Sequence, residues 1–60
     1  MKRDIKITVS NKDKTCKVWI DGVFYFCNAY KYTDNAIQAA NAYADQYKHH
    51  SPTLTIDLRG

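Results

Sequence analysis

Asp21-Gly22 stands between two runs rich in β-branched and aromatic residues, TCKVWI and VFYFCNA. An Asp-Gly pair flanked in this way predicts a two-residue type I′ hairpin, because both central residues of that turn need positive φ. The hairpin fixes a register, and the register assigns each side chain of the two strands to a face. With Ile20 opposite Val23, Trp19 faces Phe24, Val18 faces Tyr25, Lys17 faces Phe26 and Cys16 faces Cys27. Upstream, Ile5, Ile7 and Val9 alternate with Asp4, Lys6 and Thr8, the period of a half-buried strand. The polar cluster Asn11 to Lys14 then reads as a four-residue turn, which sets Lys6 beside Trp19 and Thr8 beside Lys17.

Beyond the third strand, YKYTDNAIQAANAYADQYKHHSP predicts one helix. Thr33 or Asp34 is placed to cap its first turn, and Ser51-Pro52 to end it. Ile37, Ala40, Ala44 and Tyr47, flanked by Ala36 and Tyr43, form an apolar stripe at helical spacing. The closing TLTIDL predicts a fourth strand, with Leu54, Ile56 and Leu58 inward and Thr53, Thr55 and Asp57 outward. A crossover through the helix lets this strand pair in parallel with the first. The expected fold is a single two-layer α+β domain of βββαβ order: one mixed sheet in strand order 3-2-1-4, with a single helix on one face.

One helix covers one face of a sheet, and the alanine-bearing stripe packs best on aliphatic side chains. The helix is therefore expected over Ile5, Ile7, Val9, Cys16, Val18, Ile20, Val23, Tyr25 and Cys27. The other face, with Lys6, Lys17, Trp19, Phe24 and Phe26, is expected to be open. A chain of 60 residues buries only about 60% of the surface its unfolded form exposes, so an exposed aromatic group needs a reason. Cross-strand aromatic pairs can serve stability alone, at roughly 0.2 to 1 kcal/mol each. A one-residue slip in register would exchange the two faces. Adjoining exposed aromatics otherwise mark an interaction surface, here a partner-binding site of Lys6, Lys17, Trp19, Phe24 and Phe26, with Arg59 nearby.

The remaining chemistry points away from catalysis. The six carboxylates are all Asp, and none stands in a catalytic pairing with a His or Ser. His49-His50 lacks further ligands at metal spacing and reads as solvated or as complementing the helix end. Cys16 and Cys27 are expected buried and reduced rather than bridged. No cofactor or metal is implied. No run is apolar enough to cross a bilayer, and MKRDIKITVS carries no unbroken apolar core of a secretory signal, so a cytoplasmic location is expected. Net charge is +3, concentrated early: residues 1 to 32 hold seven Lys/Arg against three Asp, residues 33 to 50 one Lys against two Asp.

Two binding classes fit these features. The open face, with the aromatics as anchors, or the polar helix face of Gln38, Asn41, Asp45 and His49, could dock a protein. The open face could also stack single-stranded nucleic acid, with lysines on the phosphates, although no RNP-like motif is present. A homodimer closed through the same face would bury the same residues.

The strand-strand-strand-helix-strand order, with YTDNAIQAANAYADQY after the third strand, resembles HicB-type antitoxins, without the glycine and proline pattern of that family's third strand. The late helix with Tyr43-Ala44 and the closing Asp57-Leu58-Arg59-Gly60 resemble the small Dmd antitoxins of T-even-like phages, over about the last 27 residues. That resemblance implies a phage-type inhibitor acting in the host cytoplasm. It would bind an RnlA-type endoribonuclease toxin and block its RNA-cleaving site, cutting nothing itself.

Overall fold

In the computed structural model, which describes residues 2–59, the chain forms β1 (Asp4–Ser10), β2 (Thr15–Ile20), β3 (Val23–Ala29), α1 (Thr33–Gln46) and β4 (Ser51–Asp57). The sheet order is β3-β2-β1-β4, with β1 and β2 antiparallel, β2 and β3 antiparallel, and β1 and β4 parallel. This is the expected two-layer α+β fold. Asp21 and Gly22 take φ of 53° and 80°, the left-handed pair that a type I′ turn requires. At the β1–β2 turn Lys14 also has a positive φ, 55°, and the register Lys6↔Trp19 and Thr8↔Lys17 is the expected one.

The core lies where the sheet's central strands meet the helix. Ile5, Ile7, Val9, Cys16 and Val18 are buried under Ala36 and Ala40. Each of the four larger aliphatic side chains is worth roughly 1.5–3 kcal/mol of transfer free energy. Ala36 and Ala40 lie four apart, on one helical face, and their small side chains let the backbone of α1 sit low on the sheet. Around them Ile20, Ile37, Tyr43, Ala44, Tyr47 and Leu54 close the rim.

Asn11 joins three elements. Its backbone N–H donates to Asp57 C=O (2.9 Å), its Nδ2 donates to Leu58 C=O (3.2 Å), and its Oδ1 accepts from the Thr33 hydroxyl. Thr33 therefore does not cap the helix, and neither does Asp34. The N-cap is Tyr32, which makes no side-chain cap bond, while Asp34 lies in the first turn and complements the helix dipole. The helix also ends earlier than expected, at Gln46, with Tyr47 as C-cap. Ser51-Pro52 opens β4 instead of merely stopping the helix. The Ser51 N–H donates inward to Arg3 C=O (3.0 Å), which turns the Pro52 nitrogen toward the outer edge, where no donor is needed. His50 helps set this junction, since its Nδ1 accepts from the Arg3 N–H at 3.2 Å.

The main departure lies in β3. Ile20↔Val23 and Trp19↔Phe24 pair as expected, but Val18 then pairs with Phe26, Lys17 with Cys27 and Cys16 with Asn28. Tyr25 is the extra residue of a β-bulge, which shifts all that follows by one position and so reverses its faces. Phe26 turns to the helix side and packs edge to face on Tyr43, with ring centroids 5.1 Å apart. Cys27 turns to the open side and is exposed. Tyr25 and Val23, expected in the core, are 62% and 67% exposed because α1 packs on β1, β2 and β4 and leaves β3 largely uncovered. On the other edge Ile56 keeps the core-side register opposite Val9 yet is 37% exposed, and Leu58 lies past β4 at 65%.

Two outcomes check this packing. Ala40→Leu inserts a larger side chain where the helix meets the sheet and is expected to cost about 1–3 kcal/mol in urea unfolding; an unchanged midpoint would show that α1 does not sit against β1 there. Deleting Tyr25 removes the extra residue while keeping Phe26 opposite Val18, so the variant is expected to retain the near-UV circular dichroism of the native fold. A molten or unfolded product would mean that the ladder has no bulge.

Candidate functional site: the helix-free face of the sheet

Alternation places Lys6, Thr8 and Ser10 of β1, Lys17 and Trp19 of β2, Phe24 of β3, and Thr53, Thr55 and Asp57 of β4 on the side away from α1. Lys6, Trp19 and Phe24 form a contiguous row across three strands. The Trp19 and Phe24 rings stand edge to face at 5.6 Å and 67°, the arrangement that aromatic quadrupoles prefer. Lys6 Nζ sits 5.2 Å from the Trp19 ring centroid, a cation–π contact worth about 0.5–1 kcal/mol at an exposed site. These contacts hold Trp19 in one orientation. Phe24 remains 53% exposed.

From Trp19 a shallow basin runs toward the β1–β2 turn, lined by Thr8, Ser10, Thr15, Lys17, Thr55 and Asp57. Thr15 Oγ1, in that lining, is buried without a hydrogen-bond partner. Arg59 lies at the far end. Its guanidinium meets the Asp57 carboxylate through Nε (3.1 Å) and Nη2 (3.3 Å), and its backbone N–H donates to the same carboxylate at 3.0 Å. These bonds hold the Asp57 carboxyl below its ordinary pKa and the Arg59 guanidinium above its own. Asp57 pairs with Ser10 and Lys6 with Thr53, four residues apart along β4, or about 13 Å at the rise of a strand. Arg59 is therefore outside the aromatic row, next to the basin.

Of the six expected site residues, Lys6, Trp19 and Phe24 lie together and Lys17 borders them, while Arg59 is remote and Phe26 is on the opposite face. Phe26 is corrected by the bulge: pairing with Val18 commits it to the core side. What sequence reasoning missed is Tyr25 and Val23, which line a second apolar depression with Ile20, Arg3 and Asp21 at the hairpin end of the helix side. Tyr43 was read only as a flank of the helical stripe, yet it also orders the far end of β3, accepting from Asn28 Nδ2 at 3.2 Å.

The two thiols are separated in the same way. Cys16 is opposite Asn28 and buried, and Cys27 is opposite Lys17 on the open face, so they do not face one another. Burial first, and the Cys27 sulfur second, push the Cys16 thiol above its ordinary pKa. Among the described residues there is no group of three His, Cys, Asp or Glu side chains placed to hold a metal ion, and no helix is long and apolar enough to cross a membrane.

A thiol reagent near pH 8 is expected to modify Cys27 and leave Cys16 untouched in the native protein, with both reacting in urea. Raising the pH to 8 leaves Cys16 unreactive, because burial holds its proton above the usual thiol range. Two equivalents reacting at one rate under native conditions would contradict the bulged register.

No family model, curated protein or solved structure matches the chain.

Proposed function

We propose that this domain is a non-catalytic protein-binding module that docks its partner stoichiometrically through the helix-free sheet face, as an inhibitor of the antitoxin type. The observation that carries the reading is the Lys6–Trp19–Phe24 row, a braced aromatic pair on a face that no element among the described residues covers. Trp and its aromatic neighbours provide large contact area at little entropic cost, and a pre-oriented ring loses less on binding than a free one. Lys6 and Lys17 add positive charge beside that anchor and steer encounter toward an acidic surface. The resemblance of the segment ending in Asp57-Leu58-Arg59 to Dmd-type antitoxins supports a host RNA-cleaving toxin as the partner class; Gly60, which completes that match, lies outside the described residues.

The face suits protein better than single-stranded nucleic acid. Stacking successive bases takes ring faces turned outward. Here Phe26 is withdrawn to the other side, Trp19 meets Phe24 edge to face, and Lys6 lies over the Trp19 ring. Phe24 is the one ring of the row left more than half exposed.

Mixing the protein with an RnlA-type endoribonuclease tests the reading directly. RNA cleavage is expected to fall in proportion to added protein and to end near equimolar. Trp19→Ala is expected to weaken binding by more than about 2 kcal/mol, close to thirtyfold, while leaving the folded spectrum intact. Retention of mixed nucleic acid from cytosol, lost on nuclease treatment and falling steeply with salt, would overturn it.

A further inference from the structure

We infer that β3 is the seam of a homodimer in which two copies pair antiparallel through their β3 edges, joining two sheets into one. β3 is an outer strand, and its backbone alternation shows what that edge offers. The Tyr30 N–H donates to Lys14 C=O at 2.9 Å, and Asn28 and Phe26 continue the pairs with Cys16 and Val18. These residues turn their main-chain groups toward β2, so Cys27 and Ala29 turn theirs outward. Before the bulge Phe24 does the same. Among the described residues no other strand meets these outward groups.

Soluble proteins guard such edges with charge, proline, a bulge that twists the edge away, or a covering element. The opposite edge, β4, carries Pro52 near its start and Asp57 at its end. β3 carries neither a charged residue nor a proline from Val23 to Ala29, and α1 leaves it largely uncovered, so the bulge at Tyr25 is its one guard and Phe26 to Ala29 beyond it form a regular edge. Its run VFYF is high in strand propensity, with three consecutive large side chains more than half exposed: Val23 67%, Phe24 53% and Tyr25 62%. In an isolated monomer this combination invites uncontrolled pairing.

A second copy is the occupant that the ends of the strand select. The hairpin end that precedes β3 carries Asp4 and Asp21 against Arg3, which stands 3.8 Å from the Asp21 carboxylate, and so stays net acidic, while Lys31 follows the strand. Antiparallel pairing about a two-fold axis sets the acidic end of each strand toward the basic end of its mate, whereas parallel pairing would set like against like. The contact is self-complementary and closed. It consumes both β3 edges and leaves only the two β4 edges, with their Pro52 and Asp57, free. An axis normal to the sheet keeps both helices on one side and both open faces on the other, so the dimer would present two Lys6–Trp19–Phe24 rows on one continuous surface. The pairing does not depend on the proposed function, since it uses the edge rather than the face.

Sedimentation equilibrium of the full chain across a concentration series tests it, with a species of twice the 6.9 kDa chain mass expected. A short bis-maleimide is expected to link the copies through Cys27 and to fail with Cys27→Ser, because the axis passes within a residue or two of that thiol. Ala29→Pro removes an outward N–H that β2 does not use, and is expected to raise the dimer dissociation constant by about tenfold or more with the fold retained. Should that variant unfold, Cys27→Lys places a guarding charge on the same edge and is expected to give the same shift. A chain that stays monomeric to about 100 μM overturns the proposal, without bearing on toxin inhibition. It is overturned as well if Trp19→Ala dissociates the dimer while both edge variants leave it intact, since the copies would then meet through the aromatic face.

Discussion

The seating of Ala36 and Ala40 on Ile5, Ile7, Val9 and Val18 is the contact from which the rest of this small domain follows. A single helix of 14 residues is the only covering layer the described chain has for four strands, so it can enclose the central pair and one flank but not all of them. It lies over β1, β2 and β4. Low seating makes the core tight at the cost of breadth, because small side chains carry little area with which to reach sideways. The uncovered face and the uncovered β3 are both consequences of that choice, and both candidate interaction surfaces lie there.

The bulge at Tyr25 resolves what would otherwise be a conflict within β3. A regular ladder from the Asp21-Gly22 turn would direct Phe26 to water and Cys27 to the core. The extra residue instead gives Phe26 to Tyr43, where two aromatic rings meet edge to face, and brings Asn28 within reach of the Tyr43 hydroxyl. A cysteine is a small group to lose from a core, while a phenylalanine left in water forfeits roughly 1.5–3 kcal/mol. The same shift narrows the open face to Trp19, Phe24 and their lysines. It also makes the strand twist more strongly at its edge, next to the three exposed side chains.

The first half of the chain was legible because its signals are local and agree with one another. Asp21-Gly22 demands one turn type, and the alternation in β1 and β2 admits one register once that turn is set. The bulge was not legible: no glycine or proline marks it, and Val23 to Phe26 are all good strand residues, so nothing in the run distinguishes one alignment from the next. Only the tertiary contact with Tyr43, on a helix begun ten residues before it, decides the matter. The helix ends depart from the sequence expectation for a similar reason. Thr33 has the side chain of a cap, but Asn11, distant in sequence, takes its hydroxyl, and Pro52 is accommodated by an edge strand that can spare its nitrogen.

Asn11 also limits how the open face can behave. Its bonds to Asp57, Leu58 and Thr33 lock the β1–β2 turn to the end of β4 and the start of α1, all at the basin end of the sheet. At the other end Asp21 Oδ1 accepts from the Asp4 N–H at 3.0 Å, and the Asp21 N–H donates to Asp4 C=O at 2.8 Å, so the hairpin is tied to the start of β1. A face clamped at both ends does not need to reorganise to receive a partner, and the ordering cost that weakens many small binding surfaces is largely met in folding. The part left free to adapt is β3 beyond the hairpin. There the backbone is bonded on one side only, so a strand from outside the chain would complete its hydrogen bonding rather than compete with it.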